Sequence, residues 1–296
     1  VIADPQIPFD DPAIDLVVIA SPNVTHAPLA MTALRAGRHV VVDKPFAIDL
    51  REALEVAAAA RASGRLLGVF HNRRWDADFL ALRALIEAGT LGDIAEVHSH
   101  FDRFRPTVPD RWRERAGPGA GLWLDLGPHL VDQAVQLFGL PDAVQADIAI
   151  QRTGAEVDDY FHVVLRYPRL RVVLHAGALV PGAGLRFAVH GTGGSWCKHG
   201  LDPQEAALRA GGVPGMEGWG VDPSPGQLLR VDADGTLHDA TSPTLAGDYR
   251  AFYAGIRDAI RDGAPPPVTL DEALDVMRVL QAGIDSAANG HVVALT

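Results

Sequence analysis

An almost unbroken apolar stretch, Ile14–Ala20 (IDLVVIA), is rich in β-branched residues and is broken by Ser21-Pro22-Asn23. Such a run between turn residues predicts a buried strand of a parallel sheet. Thr25 can cap a helix over His26–Ala36, which Gly37 ends. His39–Val42 predicts a second strand, closed by Pro45. Asp49 caps a further helix to about Ser63, Gly64 stops it, and Leu66–Phe70 is the third strand. Strand and helix alternating at this spacing specify a doubly wound α/β pattern with right-handed crossovers. Ligands of such sheets lie beyond the carboxyl ends of the strands. Here those ends are Ser21–Asn23, Asp43–Pro45 and His71–Arg74, and all three carry polar or charged residues.

Past a linking helix over Trp75–Ala88, ended by Gly89, the hydrophobic period changes. Ile94–Phe104, Ala143–Arg152, Tyr160–Tyr167, Arg171–Ala178 and Arg186–Gly191 show the partial alternation of longer strands. Pro168-Arg169-Leu170 joins two of them as a hairpin. The expected architecture is therefore α/β: a partial Rossmann domain over residues 1–72, then an α+β domain over residues 73–296 with a large, mostly antiparallel open sheet. Residues 211–226 are too rich in glycine and proline, and too long, for a mere connection, and suit a lid or contact segment. Tyr249–Arg261 and Asp271–Ala288 predict amphipathic helices that pack on the sheet or return to the first domain.

Length changes this picture little, since 296 residues suit two domains. The net charge of −11 argues against nucleic acid or an anionic membrane as partner and leaves small soluble metabolites. No apolar run reaches the ~18 residues of a membrane helix, and no signal-peptide pattern opens the chain. The single cysteine, Cys197, fits a reducing cytoplasm. Only two lysines, Lys44 and Lys198, stand among the 26 basic residues. A lysine kept in so arginine-rich a chain points to a use that arginine cannot serve, a compact ammonium whose pKa can be tuned. Cys197 and Lys198 follow a Gly-Thr-Gly-Gly-Ser turn and read as structural or surface residues. Dinucleotide-binding halves begin with a strand and a G-x-G-x-x-G turn. The opening VIADPQIPFDDPAIDLVVIA has neither, so one β-α-β unit of ~50 residues is expected to be lacking.

The candidate chemistry gathers in Gly117–Phe138 (GPGAGLWLDLGPHLVDQAVQLF). Asp125 and His129 are four apart, the spacing that shares a helix face. A carboxylate beside an imidazole makes a usable base near neutral pH, although a purely structural pair would look the same. Pro128 is tolerated only in a first helical turn, so the helix is expected to start near Gly127, with Asp125 in the turn before it. The histidines are read as spread through the chain with no HxH, HExxH or Cys/His set, so no metal site is expected.

Ile19-Ala20-Ser21-Pro22-Asn23 with His26, Ala36-Gly37, His39-Val40, Asp43-Lys44-Pro45, and Gly121 with Asp125, Gly127 and His129 together resemble the Gfo/Idh/MocA oxidoreductases. These are NAD(P)-dependent dehydrogenases of sugars and inositols. The usual tripeptide of that family is Glu-Lys-Pro; here an aspartate stands first. His71–Asp76 and Asp202–Glu205 resemble the subgroup with NADP-linked scyllo-inositol dehydrogenases, which favours NADP over NAD as cofactor. The resemblance implies hydride transfer between a carbinol carbon and nicotinamide. His129 would be the base, Asp125 would orient its ring and raise its basicity or share the substrate hydroxyl, and Lys44 would hold the reacting oxygen. Ser21, Pro22, Asn23, His26, Asp43, Lys44, Pro45, Asn72 and Arg74 would line the cofactor site. Arg103, Trp112 and Asp159 would meet a polyol or sugar. A homodimer or homotetramer through the open sheet face is implied as well. The competing readings are a noncatalytic relative that binds cofactor or ligand, and an inactive truncated form.

Overall fold

The computed structural model describes residues 6–242 and 244–295. A short helix α1 (Gln6–Asp10) precedes β1 (Leu16–Ile19), α2 (His26–Arg35), β2 (His39–Val42), α3 (Leu50–Ser63) and β3 (Leu67–Val69). The three strands pair in parallel in the order β1-β2-β3, with Val40 opposite both Val17 and Leu67. Val40, Val41 and Val42 are fully buried, as a strand covered by helices on both faces requires. Asp49 caps α3 by accepting from the Glu52 amide at 2.7 Å. Gly64 ends it at φ +63°, a left-handed conformation that costs glycine nothing. Thr25 stands at the start of α2, but its hydroxyl bonds Ser21 and the Pro22 carbonyl and makes no cap hydrogen bond to the helix.

A 3₁₀ turn (Asn72–Trp75) and α4 (Ala77–Glu87) lead to β4 (Ile94–His100), a long loop holding a second 3₁₀ turn (Trp112–Glu114), and α5 (Leu122–Phe138). Then follow β5 (Ala143–Ala149), β6 (Tyr160–Arg166), β7 (Arg171–Gly177), β8 (Leu185–Gly191), β9 (Gly194–His199), α6 (Gln204–Arg209), β10 (Gln227–Val231) and β11 (Leu237–Thr241). The described chain closes with α7 (Arg250–Asp262), α8 (Leu270–Asn289) and β12 (Val293–Ala294). The second sheet has nine strands in the order β11-β10-β9-β8-β4-β7-β6-β5-β12. Every neighbouring pair is antiparallel except β4 with β7. The expected mostly antiparallel open sheet is thus present, wider by four strands than the hydrophobic pattern predicts. Strands β10 and β11 escape that pattern because β11 is exposed along its whole length and β10 nearly so. Lys198, on β9, is buried against Asp222 at 3.0 Å and is a structural cation.

Helices α5 and α8 pack on each other and cover β5 to β7, and α8 also touches α3 and β3, so one helix pair joins the two sheets. Trp123 is the wedge of that joint. It is 2 % exposed, donates from its indole to the Leu280 carbonyl at 3.1 Å, and meets Phe161 edge-on. A Cβ at Gly127 or Gly283 would stand 2.7 Å from the indole, so both positions need glycine to let the ring lie between the helices. An unhindered glycine-to-alanine change in a helix gains up to about 1 kcal/mol. At Gly283 the rigid ring cannot give way, and Gly283→Ala is expected to destabilise by about 1–3 kcal/mol. Urea unfolding checks this, and a midpoint raised by the substitution would contradict the packing described.

Candidate active site

The carboxyl ends of β2 and β3 open onto a cavity of about 400 Å³. Lys44 reaches into it from the end of β2, through a peptide bond to Pro45 that is cis. The Asp43 carboxylate accepts the Lys44 amide at 2.8 Å and shapes this corner. From the other sheet, α5 brings Asp125 and His129 to the same cavity. The Lys44 ammonium donates to both the Asp125 backbone carbonyl at 2.6 Å and its carboxylate at 3.1 Å.

The helix that carries them begins earlier than Pro128 suggests. It runs from Leu122, with Pro128 inside it, so Asp125 lies in its first turn and not in a preceding loop. Two features compensate for the proline. Asp158 caps the helix start, accepting the Trp123 amide at 2.6 Å while its own carbonyl takes the Leu122 amide at 2.8 Å. Gly121, at φ +99°, leaves room for that carboxylate, since a Cβ there would lie 2.0 Å from it. Burial raises the Asp158 carboxyl to about 6 against the amide bonds that favour its charge. Proline also lacks the amide that would bond the Leu124 carbonyl. The neighbouring carbonyl, of Asp125, is the one Lys44 takes.

Electrostatics correct one expectation. Among the described residues no hydrogen bond joins Asp125 to the His129 ring. Burial disfavours its charge, yet Lys44, Arg103 and Arg113 outweigh that and hold its carboxyl near 2. His129 is buried, its Nδ1 has no hydrogen-bond partner, and its pKa falls well below the ordinary value. Burial is the main cause, followed by the positive charges of Lys44 and Arg73. The imidazole is therefore neutral, not made more basic. Beside it in the field of the same lysine lies His71, fully enclosed, with neither ring nitrogen partnered and its pKa lowered by burial.

The other sequence-predicted residues divide into those on the cavity and those that build it. Asp43, Lys44, Asn72 and Arg103 line it. Asn23 is buried and donates to the Gly119 carbonyl at 2.7 Å, tying the loop after β1 to the glycine-rich lead of α5. His26 is buried with its ring nitrogens 3.0 and 2.8 Å from the carbonyls of Ser21 and Pro45, so it pins the loops after β1 and β2 together. Ser21 bonds Thr25 at 2.5 Å, and Pro22 is exposed beside it. Arg74 lies off the cavity, bonded by two guanidinium nitrogens to Asp132 at 2.7 and 2.9 Å and to Glu272 at 3.0 Å. Asp159 is likewise committed, accepting from Arg152 Nε at 2.8 Å and from two amides, and Trp112 stands outside under the Arg113 guanidinium. Neither lines the cavity.

Sequence reasoning missed Arg111, Arg209 and Tyr249 on the cavity. Arg209 and Tyr249 come from distant elements whose approach no local pattern signals. It also missed a histidine group on the outer face of the large sheet. His98-Ser99-His100 alternate on β4, His100 faces His175 and His175 faces His162 across neighbouring strands, and Asp102 lies 3.4 Å from both His100 and His175. The available signal was His98-Ser99-His100, an H-x-H that corrects the reading of the histidines as free of that pattern.

Comparison with known proteins gives these shapes a lineage. Residues 1–71 match the model described as "Oxidoreductase family, NAD-binding Rossmann fold", and residues 83–295 match "Oxidoreductase family, C-terminal alpha/beta domain". The chain is 50 % identical over 295 residues to the uncharacterized oxidoreductase YdgJ of Escherichia coli, covering 100 % of this chain and 85 % of that protein. It is 40 % identical over 288 residues to scyllo-inositol 2-dehydrogenase (NADP(+)) IolW of Bacillus subtilis, covering 97 % and 80 %. The crystal structure of an oxidoreductase from Bacillus cereus superposes with a TM-score of 0.91 at 37 % identity, covering 100 % of this chain and 84 % of that one.

Arg74 provides the test of what is structural here. Removing one partner of a buried ion pair costs about 3–5 kcal/mol because the other charge is left uncompensated. Arg74→Met is expected to lower the urea midpoint accordingly while the folded fraction titrates with a nicotinamide cofactor as the parent protein does, followed by fluorescence. A variant of normal stability that loses that affinity would return Arg74 to the cofactor site.

Proposed function

Because this chain belongs to the Gfo/Idh/MocA oxidoreductase family, we propose that it is a nicotinamide-dependent dehydrogenase that interconverts a secondary alcohol and ketone of a sugar, polyol or inositol. The observation that carries this reading is the meeting of Lys44, from the end of β2, with Asp125 and His129, from α5, on one cavity at the strand carboxyl ends. The residues there suit a nicotinamide. The Phe70 ring offers an apolar wall, and Lys44 and Asn72 offer donors. When bound, the nicotinamide supplies the hydride acceptor for the carbinol carbon.

The chain supplies the proton chemistry. An ammonium has three hydrogens, and Asp125 takes two of those on Lys44. The third is left for a substrate oxygen, where it favours the alkoxide that forms as the hydride leaves. His129, neutral because it is buried among cations, is free to accept the hydroxyl proton. The same field that weakens it as a base also favours ionisation of the hydroxyl, so the two shifts move together. NADP is the preferred cofactor in this reading, supported by the NADP-linked name of the relative IolW. Assembly as a homodimer or homotetramer through the outer sheet face belongs to it too, and a monomer by light scattering would remove that part.

Lys44→Met and His129→Asn are each expected to lower kcat by a factor of roughly 10² or more with circular dichroism unchanged. Since the His129 pKa is depressed, the acid limb of kcat/KM should lie below pH 6.5, with a plateau above it. Near-normal turnover in either variant, or a His129-dependent inflection above pH 6.5, would refute the assigned roles.

A further inference from the structure

We propose that the substrate of this cavity carries an anionic group, a carboxylate or a phosphate monoester, and that Arg103, Arg105 and Arg113 hold it. The proposal rests on the dehydrogenase reading above and names the class of alcohol it takes.

Charge is the first observation. The whole chain carries a net −11, yet seven lysine and arginine side chains line the cavity against three carboxylates, Asp43, Asp125 and Glu205. The excess is therefore local and not a reflection of a basic surface. Each carboxylate also already holds at least one donor. Glu205 is bonded by Arg73 at 2.6 Å and paired with Arg209. Asp43 accepts the Lys44 amide, and Asp125 accepts the Lys44 ammonium. Arg103 and Arg113 come only to 3.8 and 3.6 Å from Asp125, outside hydrogen-bond reach. The Arg105 guanidinium has no hydrogen bond or ion pair among the described residues.

Backbone geometry aims these groups on purpose. Residues beyond β4 stay extended, with the Arg103 and Arg105 amides donating to the Gly177 and Ala178 carbonyls at 2.9 and 2.7 Å. Alternation along an extended chain puts Arg103 and Arg105 on the same side, while Phe104 between them turns out and is exposed. Holding like charges together is unfavourable unless an anion joins them. The guanidinium of Arg105 is depressed by its burial and by Arg111 close by, and that of Arg103 falls to about 10 through burial. Arginine has five donors and no acceptor. It fits the planar, two-oxygen face of an oxyanion. A neutral polyol presents a donor with every hydroxyl, and only three carboxylates, each already holding a cation or an amide, stand among seven cationic side chains to accept those hydrogens.

Calorimetry at low ionic strength, with NADPH present and absent, can decide this with three probes that differ in charge: glucose, gluconate and glucose 6-phosphate. Gluconate or glucose 6-phosphate is expected to bind about tenfold or more tighter than glucose, the preferred one identifying carboxylate or phosphate, and Arg105→Met should erase most of that ratio. Equal or tighter binding of glucose overturns the proposal, as does an Arg105→Met variant that keeps the ratio or whose main loss is in NADPH affinity, which would give the arginines to the cofactor phosphates. The dehydrogenase reading fails differently. In that case NADPH and NADH do not bind and no alcohol is oxidised, while the charged-over-neutral ratio of the probes is still measured and judges the anion site alone.

Discussion

The site depends on one bridge, the Lys44 ammonium held by two oxygens of Asp125, one from its backbone and one from its side chain. It joins the end of a parallel strand to the first turn of a helix 81 positions later. Neither group is deeply buried, at 12 % and 18 % side-chain exposure, so the pair is a modest source of stability. Its value is geometric. The bonds fix the ammonium's direction, and with it the place where a substrate oxygen can sit. Everything else around the cavity serves to keep that distance constant. Trp123 locks α5 to α8, Asp158 and Gly121 set where α5 begins, and Asn23 ties the loop after β1 to the segment just before it.

The bridge also sets the state of His129. Had Asp125 bonded the imidazole, the pair would titrate as a charged base with a raised pKa. With the carboxylate given to lysine, the imidazole faces burial and positive charge together, and both favour its neutral form. His71 answers to the same forces. Two enclosed imidazoles without partners are costly in a region selected for stability. The His129 Nδ1 is itself sealed from solvent, so a hydroxyl proton would be taken on the other ring nitrogen, Nε2.

What the sequence disclosed follows the range of the forces involved. The parallel strands, the Asp49 cap and the Gly64 stop are local, and local pattern predicts them. The start of α5 was misplaced because Pro128 is a strong local signal, overridden by a cap from Asp158, thirty residues further on. Arg74 and Asp159 stand where motif and strand position suggest ligands, but each is consumed by a buried partner that only the fold brings near. In the other direction, strands β10 and β11 bury only Leu228 between them, too little to impose alternation, so a pattern built on burial cannot register them. Lys44 and His129 were legible because their chemistry is unusual for their neighbourhood. Their mutual geometry was not, since it depends on which of two groups Asp125 prefers.

That preference has a physical reason within the site. Asp125 stands among Lys44, Arg103 and Arg113, and its carboxyl is held near 2. A carboxylate in such company stays ionised and turns to the donor that reaches it with the best geometry. Lysine does so because its ammonium can also bond the helix carbonyl beside Pro128, gaining a second acceptor that no arginine nearby shares. The arginines are left with donors unspent. One carboxylate facing three cations thus orders the lysine for chemistry and leaves the guanidinium groups available for a ligand, so reaction and recognition share a single electrostatic cause.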